Sequence, residues 1–439
     1  MRIRSRFAIV WLLTGLNLFN YLDRYVVNAV SPRIQESFRL TDAQTGWVIG
    51  AFMFGYFLTS PIFGALGDRY RRRGLIALGV GIWSLATAGS GMAAGFLSLL
   101  LARVIVGVGE ASYATLSPTI IDDLSDSRSK TRNLAIFYAA IPLGSALGYV
   151  AGGSLEHAFG WRSAFYVAGL PGILLAILVA TIDEPPRAAV AAGSGHGSFL
   201  GSTATLMAIP AYRYTVLGYV CYTFALGAFA AWAPAYLEAR LHLPLQQADH
   251  GLGIVLAVTG LLGTAIGGFL GDRWGRSSAD LPPEKQAMQR TRAGLAICAI
   301  ATAVAAPAAL VTLLCDRPGT FFVAIGVTEL FLFISTAPAN TALLGSVPSG
   351  LRASAMALCI FAIHLFGDLV SPPAIGRASD AIRSARRVAA TVDMSSLKNP
   401  ALADGGASLR TAMLVLPVMI AAGAALWALG SRAARRAAA

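Results

Sequence analysis

The sequence predicts an all-α membrane protein of twelve spans in two pseudo-symmetric six-helix bundles, and three observations carry that expectation. Charged residues make up 13% of the 439 residues and apolar residues 56%, with a mean hydropathy of +0.64. A soluble domain carries about 25% charge. Apolar stretches of about 20 residues, enough to cross a bilayer, recur along the whole chain. A Gly-x-x-x-Asp-Arg turn also occurs twice, in GALGDRYRRR from Gly64 to Arg73 and in GGFLGDRWGR from Gly267 to Arg276. Each copy follows a long apolar stretch and holds its charges on the aqueous side, as expected where one half repeats the other.

The spans fall at residues 7–30, 45–67, 74–94, 97–122, 133–155, 162–182, 213–237, 249–271, 292–312, 319–344, 351–374 and 410–431. The first has a short basic flank, Arg2, Arg4 and Arg6, that imitates a signal peptide. Its length, its internal Asp23-Arg24 pair and the lack of a small-residue cleavage site make it a span. A polar linker at 183–211 separates an N-terminal bundle, 1–182, from a C-terminal region, 212–439, whose last two spans enclose a long external loop at 375–409.

Orientation follows from basic residues, which favour the cytoplasmic side. With both termini inside and residues at span edges counted with the adjoining loop, 21 of the 34 Lys and Arg are cytoplasmic, 11 are external and 2 lie deep within spans. Six of the external ones fall in the single long loop before the last span or at its edge, Arg377, Arg383, Arg386, Arg387, Lys398 and Arg410. Long loops obey the rule weakly, and this one suits an external amphipathic helix. The net charge of +12 therefore reflects topology and contact with anionic membrane lipid, not nucleic-acid binding. A monomer is the expectation. Cys221, Cys298, Cys315 and Cys359 lack ligand-like spacing, so no metal site or disulfide framework is expected.

Polar residues inside the first and fourth spans point to a wet interior. In NLFNYLDRYVVNAV, Asn17, Asn20, Tyr21, Arg24 and Asn28 share one helix face. Asp23 and Arg24 are adjacent, about 100° apart around the helix, so each can face the cavity or a neighbouring helix. A carboxylate in such surroundings feels burial and a nearby cation in opposite senses, a balance that a proton-coupled carrier exploits. Self-neutralisation that fixes helix packing is the alternative. In the fourth span, RVIVGVGEASYATLSPTI places Arg103, Gly107, Glu110, Ala114 and Ser117 along one stripe. Arg103 and Glu110 are about 10.5 Å apart along the axis, so each needs another partner. An anionic headgroup or a carboxylate from another helix suits Arg103, while Glu110 can pair with Arg24 or carry a proton. Gly107 and Gly109 permit close backbone approach.

The remaining polar candidates are Glu329, with no evident partner, and His364 and Asp368 in HLFGDLVSPP. Asp368 can bond His364, support a helix break near Pro372 and Pro373, or titrate. In the repeated turns, Gly64, Asp68 and Arg72, and their counterparts Gly268, Asp272 and Arg276, form charged latches that gate the inward side. Asp68 can pair with Arg72 or accept from a helix start. Pro142, Gly144, Gly148, Gly152 and Gly153 suit a fifth span that bends or packs closely. Tyr222, Phe229, Trp232 and Tyr236, with Phe224 beside them, form either a lipid-facing stripe or, with Phe52, Phe54 and Tyr56, a greasy cavity wall. Such a wall suits an amphipathic solute better than a sugar.

The doubled charged turn resembles the major facilitator superfamily. NYLDRY at Asn20, GVGEASYATLSPTIIDDL at Gly107, FYAAIPLGSALGY at Phe137, GAFAAWAPAYL at Gly227 and HLFGDLVSP at His364 resemble its spinster-type branch, the lysolipid and sphingosine-1-phosphate transporters. That resemblance, to a bacterial member, implies a major facilitator fold, a place in the bacterial inner membrane, alternating access and a proton-dependent step. It implies Asp23 as the acidic residue of proton coupling, Arg24 as its partner, Glu110 as a cavity acid and Arg103 as the arginine of the fourth span. Gly148-Tyr149 stands where antiporters of the superfamily carry Gly-Pro. Tyr113 and Trp232 join Arg24, Arg103 and Glu110 as expected contacts of the lipid substrate, with protons as the coupling ion. The rival is a facilitator of a small organic anion or drug. No nucleophile with a convincing base or metal set appears, so an enzyme is not expected, and no cofactor is expected.

Overall fold

A computed structural model describes residues 3–126, 129–185, 199–276, 283–348, 351–390 and 406–438. The first six helices are α1 (Arg6–Phe38), α2 (Asp42–Arg69), α3 (Arg72–Ser90), α4 (Phe96–Leu124), α5 (Lys130–Phe159) and α6 (Trp161–Ala180). A short α7 (Phe199–Ala208) precedes α8 (Pro210–Leu241), α9 (Leu245–Arg276) and α10 (Pro283–Leu314). Three interrupted spans complete the chain. The first pairs α11 (Pro318–Ile334) with α12 (Thr336–Gly345), and the second joins α13 (Arg352–Ile363) through a π-helical turn at His364–Asp368 to α14 (Ser371–Ala390). The last pairs α15 (Ala407–Met413) with α16 (Val415–Ala438).

Ten of the described helical segments are long and apolar enough to cross a membrane. The helices α1 and α3, of 33 and 19 residues, complete the twelve expected spans. Asn17, Asn20 and Asp23 make the most apolar stretch of α1 more polar than those ten.

Local chemistry sets the helix ends. Thr41 and Gln44 close a capping box at the start of α2, with Gln44 N donating to Thr41 Oγ1 at 3.2 Å and Thr41 N to Gln44 Oε1 at 3.0 Å. Ser98 Oγ accepts from Gly95 N at 3.2 Å at the start of α4. Gly160, at φ +81°, ends α5 and begins α6 within one residue, a conformation that favours glycine. The first span was expected to end near residue 30, but α1 runs through Pro32 to Phe38. A proline costs little in a spanning helix whose freed backbone groups find other partners.

Two compact units form. The first comprises Met1–Val190, Ala230–Ala257 and Pro372–Thr411; the second comprises Ala191–Phe229, Val258–Ser371 and Ala412–Ala439. In the first, α1 packs on α5, α2 on α4, and α3 on α4 and α6. Its apolar core gathers Leu13, Ile76, Trp83, Tyr113, Phe137 and Val179. Small residues let the backbones meet: a Cβ on Gly107 would collide with the Phe52 carbonyl, and one on Gly55 with the Val104 carbonyl. A parallel bridge of Ile3 with Ile182 closes the six-helix run, with Ile3 N donating to Thr181 O at 3.0 Å and Asp183 N to Ile3 O at 2.9 Å.

In the second unit α10 packs against α11, α12 and α16. The bend between α11 and α12 lies beside it, where Cys298 Sγ donates to Ser335 O at 3.5 Å. Trp427 Nε1 donates to Thr215 O at 3.1 Å over the bare surface of Gly218.

Two expectations change here. The span expected to stop at residue 374 continues as α14 to Ala390, so the first part of the expected 375–409 loop is helix; residues 391–405 lie outside the described residues. Asp380 on α14 accepts from Asp42 N at 3.1 Å and Ala43 N at 2.9 Å, capping the positive end of α2. Arg383, buried, bridges Asp380 at 3.2 Å and Asp42. Part of that basic segment is therefore engaged in packing. The linker expected at 183–211 also contains α7, and residues 186–198 lie outside the described residues.

Candidate functional site

Two buried ion pairs, made by adjacent residues of α1, stand at the centre of the first unit. Because consecutive side chains diverge by about 100°, Asp23 and Arg24 face different neighbours. Thr87 Oγ1 of α3 donates to Asp23 Oδ2 at 2.7 Å, and Arg103 Nη1 of α4 lies 3.8 Å from Asp23 Oδ1. Arg24 turns the other way, its Nε donating to Glu110 Oε2 at 2.8 Å. Of the pairings expected, Asp23 with Arg24 does not form, whereas Glu110 with Arg24 does, and Arg103 takes a carboxylate of another helix, Asp23. The two-turn separation of Arg103 and Glu110 on α4 lets one helix serve both residues of α1.

Aromatic rings line the guanidinium of Arg24. Its Cζ lies 4.9 Å from the Tyr21 ring centroid, 5.0 Å from that of Phe52 and 5.3 Å from that of Tyr56. The Phe52 ring also lies 5.4 Å from Arg103 Cζ, so a single aromatic touches both cations. Two arginines and two carboxylates make a quartet that is neutral when all four are ionised. Its hydrogen bonding is incomplete: Asn20 Nδ2, Asp23 Oδ1, Glu110 Oε1 and all three guanidinium nitrogens of Arg103 are buried without a hydrogen-bond partner. A buried donor left unsatisfied costs about 1–3 kcal/mol, more when charged, so this arrangement is suited to accept a proton or an anionic group rather than to maximise stability.

Tyr113 and Trp232, expected at the substrate, are fully buried in packing. Tyr113 donates to Leu13 O at 2.6 Å and lies edge-on to Trp83 at 5.8 Å. Trp232 Nε1 donates to Pro372 O at 3.1 Å, at the start of α14. Phe52 and Tyr56, four residues apart, share a face, whereas Phe54 points outward and is exposed. Tyr222, Phe229 and Tyr236 are buried, which removes the lipid-facing reading of that stripe.

The first charged turn is latched inside its own unit. Arg72 Nη1 pairs with Asp123 at 2.7 Å, and its Nε with Glu184 at 3.0 Å. Glu184 also accepts from the backbone N of Arg72 at 3.1 Å and of Arg73 at 3.3 Å, holding the start of α3. Arg72 engages Asp123 and Glu184 because the α2–α3 connection points its side chain toward the ends of α4 and α6. Gly64, Asp68, Arg72, Thr115 and Asp123 border a cavity of about 600 Å³. In the second unit Gly268, Asp272, Arg290 and Pro338 border one of about 340 Å³. The Arg276 side chain lies outside the described residues.

Glu329 has a partner that the sequence did not reveal: Thr259 Oγ1 donates to its Oε2 at 3.1 Å. His364 Nδ1 and Asp368 Oδ2 are 2.9 Å apart across the π-helical turn. The helix break therefore precedes the Pro372-Pro373 pair, and α14 resumes at Ser371 with these prolines in its first turn, where their missing N–H groups are least costly. Thr87, Asp123 and Glu184 were also missed; the run Asp122-Asp123 and the Asp183-Glu184 pair at the span ends were the available signals.

The sequence profile described as Major Facilitator Superfamily matches residues 13–372. Protein spinster homolog 1 of Homo sapiens is 35% identical over 398 residues, covering 85% of this chain and 73% of the human one. The chain belongs to the spinster branch of the major facilitator superfamily. Protein spinster homolog 3 of Danio rerio is 34% identical over 401 residues, 86% of this chain and 78% of that protein. A solved bacterial homologue of the human lysosomal transporter spinster, inward-facing and unoccupied, matches with a TM-score of 0.85 over 98% of both chains at 24% identity. That likeness bears on fold. This spinster-branch chain is accordingly a multi-pass membrane transporter of major facilitator fold, and its paired charges sit in α1 and α4, where the sequence motifs lie.

Proposed function

We propose that this spinster-branch transporter moves an amphipathic lipid, a lysophospholipid or a sphingosine-1-phosphate-like molecule, across a bacterial inner membrane in exchange for, or together with, protons. The single observation that carries the reading is the neutral, incompletely bonded quartet of Asp23, Arg103, Arg24 and Glu110. Protonation of Asp23 removes the anion beside Arg103, whose nitrogens then become available to a headgroup phosphate or carboxylate. Arg24, lined by Tyr21, Phe52 and Tyr56, offers a second cation against an aromatic wall. Glu110 competes with the headgroup for Arg24, so substrate binding and the charge on Glu110 are linked.

Alternating access has residues 1–182 and 212–439 as the moving bodies, with both termini cytoplasmic. Gly64, Asp68 and Arg72 gate one body, and Gly268, Asp272 and Arg276 the other. Glu329, His364 and Asp368 remain auxiliary candidates, with Thr259 and the π-helical turn as their settings. The neighbouring Arg24 and Arg103 also suit a small organic anion, the second reading.

Both readings are tested by uptake of labelled lysolipids and sphingosine-1-phosphate into inside-out proteoliposomes, with and without an imposed proton gradient, comparing wild type with Asp23→Asn. Gradient-stimulated lipid uptake that disappears in Asp23→Asn supports the proposal. Folded wild-type protein that moves neither lipid sinks the lipid assignment, and an anion screen decides the second reading.

A further inference from the structure

A further buried acid lies in the first unit, on a different helix from the quartet. Asp249, in the first turns of α9, has no exposed surface, and neither of its carboxylate oxygens has a hydrogen-bond partner. It is seated over Gly153 of α5: a Cβ at residue 153 would stand 2.7 Å from Asp249 Oδ2, so the bare glycine makes the room that the carboxyl fills. On either side the two helices are stitched together. His250 Nε2 and Ser154 Oγ are 2.8 Å apart, and Gly253 lies against the Ala146 carbonyl, 2.8 Å from a Cβ placed there.

The charged groups that act on Asp249 are Glu156 of α5, Glu238 of α8 and Arg33 of α1. Arg33 is already committed, with Nε 3.1 Å from Glu156, Nη2 2.6 Å from Glu238 and Nη1 3.7 Å from Glu36. An ionised Asp249 would add a further negative charge to three carboxylates that share one guanidinium, with no hydrogen-bond donor on either of its own oxygens. Among the described residues no group of three metal-ligating side chains could hold a cation there. A buried, unpaired carboxylate is tolerated when it carries a proton, and a protonated carboxyl is a neutral plug of the size that Gly153 admits.

We propose that Asp249 is a proton-binding site that locks α9 onto α5. With the proton bound, the contact across Gly153 stays shut. Loss of the proton places an uncompensated charge between the helices and parts them, letting water reach the carboxylate and the Arg33 cluster. Acid therefore favours the closed contact and alkali the open one. This site is separate from Asp23 and does not depend on which solute the transporter carries, so it goes beyond the lipid reading.

The test uses the full chain in lipid nanodiscs, with its four native cysteines replaced and nitroxide labels introduced at Phe159→Cys and Gln247→Cys. Both positions are exposed and lie at the facing ends of α5 and α9. Double electron–electron resonance is recorded from acid to alkaline pH without substrate or gradient. The expected result is a short distance in acid that gives way to a longer one in alkali, a response abolished in Asp249→Asn, which stays short, and kept in His250→Gln. The Asn variant matches the protonated acid in shape, so it preserves the fold. Three results would overturn the proposal: a pH-independent distance in the parent protein, lengthening that persists in Asp249→Asn, or a response lost with His250 instead. Because the readout needs no transport, it separates failure of this site from failure of the lipid assignment.

Discussion

Arg24 reaches Glu110 across the contact of α1 with α4 through one 2.8 Å bond, and Glu110 is fully buried while the Arg24 side chain keeps 10% of its surface. The pair is therefore accessible from the arginine's side only. A buried pair of this kind is expensive to break one member at a time and cheap to replace whole.

Arg24→Met should lower stability by about 3–5 kcal/mol, because it strands a buried carboxylate, while Arg24→Met with Glu110→Leu should recover most of that loss. Thermal unfolding in detergent measures both. Equal destabilisation of the single and double variants would mean that the two residues do not depend on each other.

Glycines of the repeated turns and of the helix contacts should respond differently to a methyl group. Gly107→Ala forces a Cβ into the Phe52 carbonyl and should cost about 1–3 kcal/mol or more. A Cβ on Gly64 would meet Thr115 Cγ2 at 3.9 Å, and one on Gly268 would meet nothing within 4 Å outside its own helix backbone. Alanine at either should leave the unfolding temperature near that of the parent, and a marked drop would show that the apparent space is filled.

Glu184→Ala should destabilise by about 1–3 kcal/mol, because the carboxylate holds two backbone N–H groups of α3 as well as Arg72. Its near neighbour Asp183 keeps 45% of its side-chain surface, opposite an Arg4 that keeps 82%. Asp183→Ala should therefore change stability by about 0–1 kcal/mol. Comparable losses for both would remove the helix-start role given to Glu184.

Trp232→Phe removes one N–H bond to the Pro372 carbonyl but leaves a ring in place. A loss of about 1 kcal/mol with the KM for transport unchanged is expected. A large rise in KM with stability intact would return Trp232 to the substrate site.

The spans were legible because hydrocarbon imposes length and polarity on every residue of a crossing helix. The polar stripe of Asn17, Asn20, Tyr21 and Arg24 was legible for the same reason, since nothing else in α1 explains it. Partner choice was legible only in part, since Arg24 with Glu110, and Arg103 with a carboxylate of another helix, stood among the readings beside Asp23 with Arg24. Adjacency in sequence suggested Asp23 with Arg24, yet a helix separates neighbours around its axis, and only the approach of α3 and α4 assigns Thr87 and Arg103 to one and Glu110 to the other. Thr87 was hidden because a hydroxyl in an apolar span usually bonds its own backbone, as Thr59 does to Gly55 O at 2.8 Å. Asp249 was hidden because it stands at a predicted span boundary, where a charge is ordinary. Nothing in the sequence announces that Gly153 will lie beneath it.

The Ile3–Ile182 bridge makes the first and last residues of the six-helix run immediate neighbours. A run whose ends touch can be sewn into a ring and reopened at an exposed turn without disturbing its interior. Joining the stretch near Ile3 to that near Asp183 and placing new ends at the exposed Met92 would give a rewired half with the same helices beside one another. For α1 to α6, the order in which the helices leave the ribosome is then separable from the arrangement in which they finally stand.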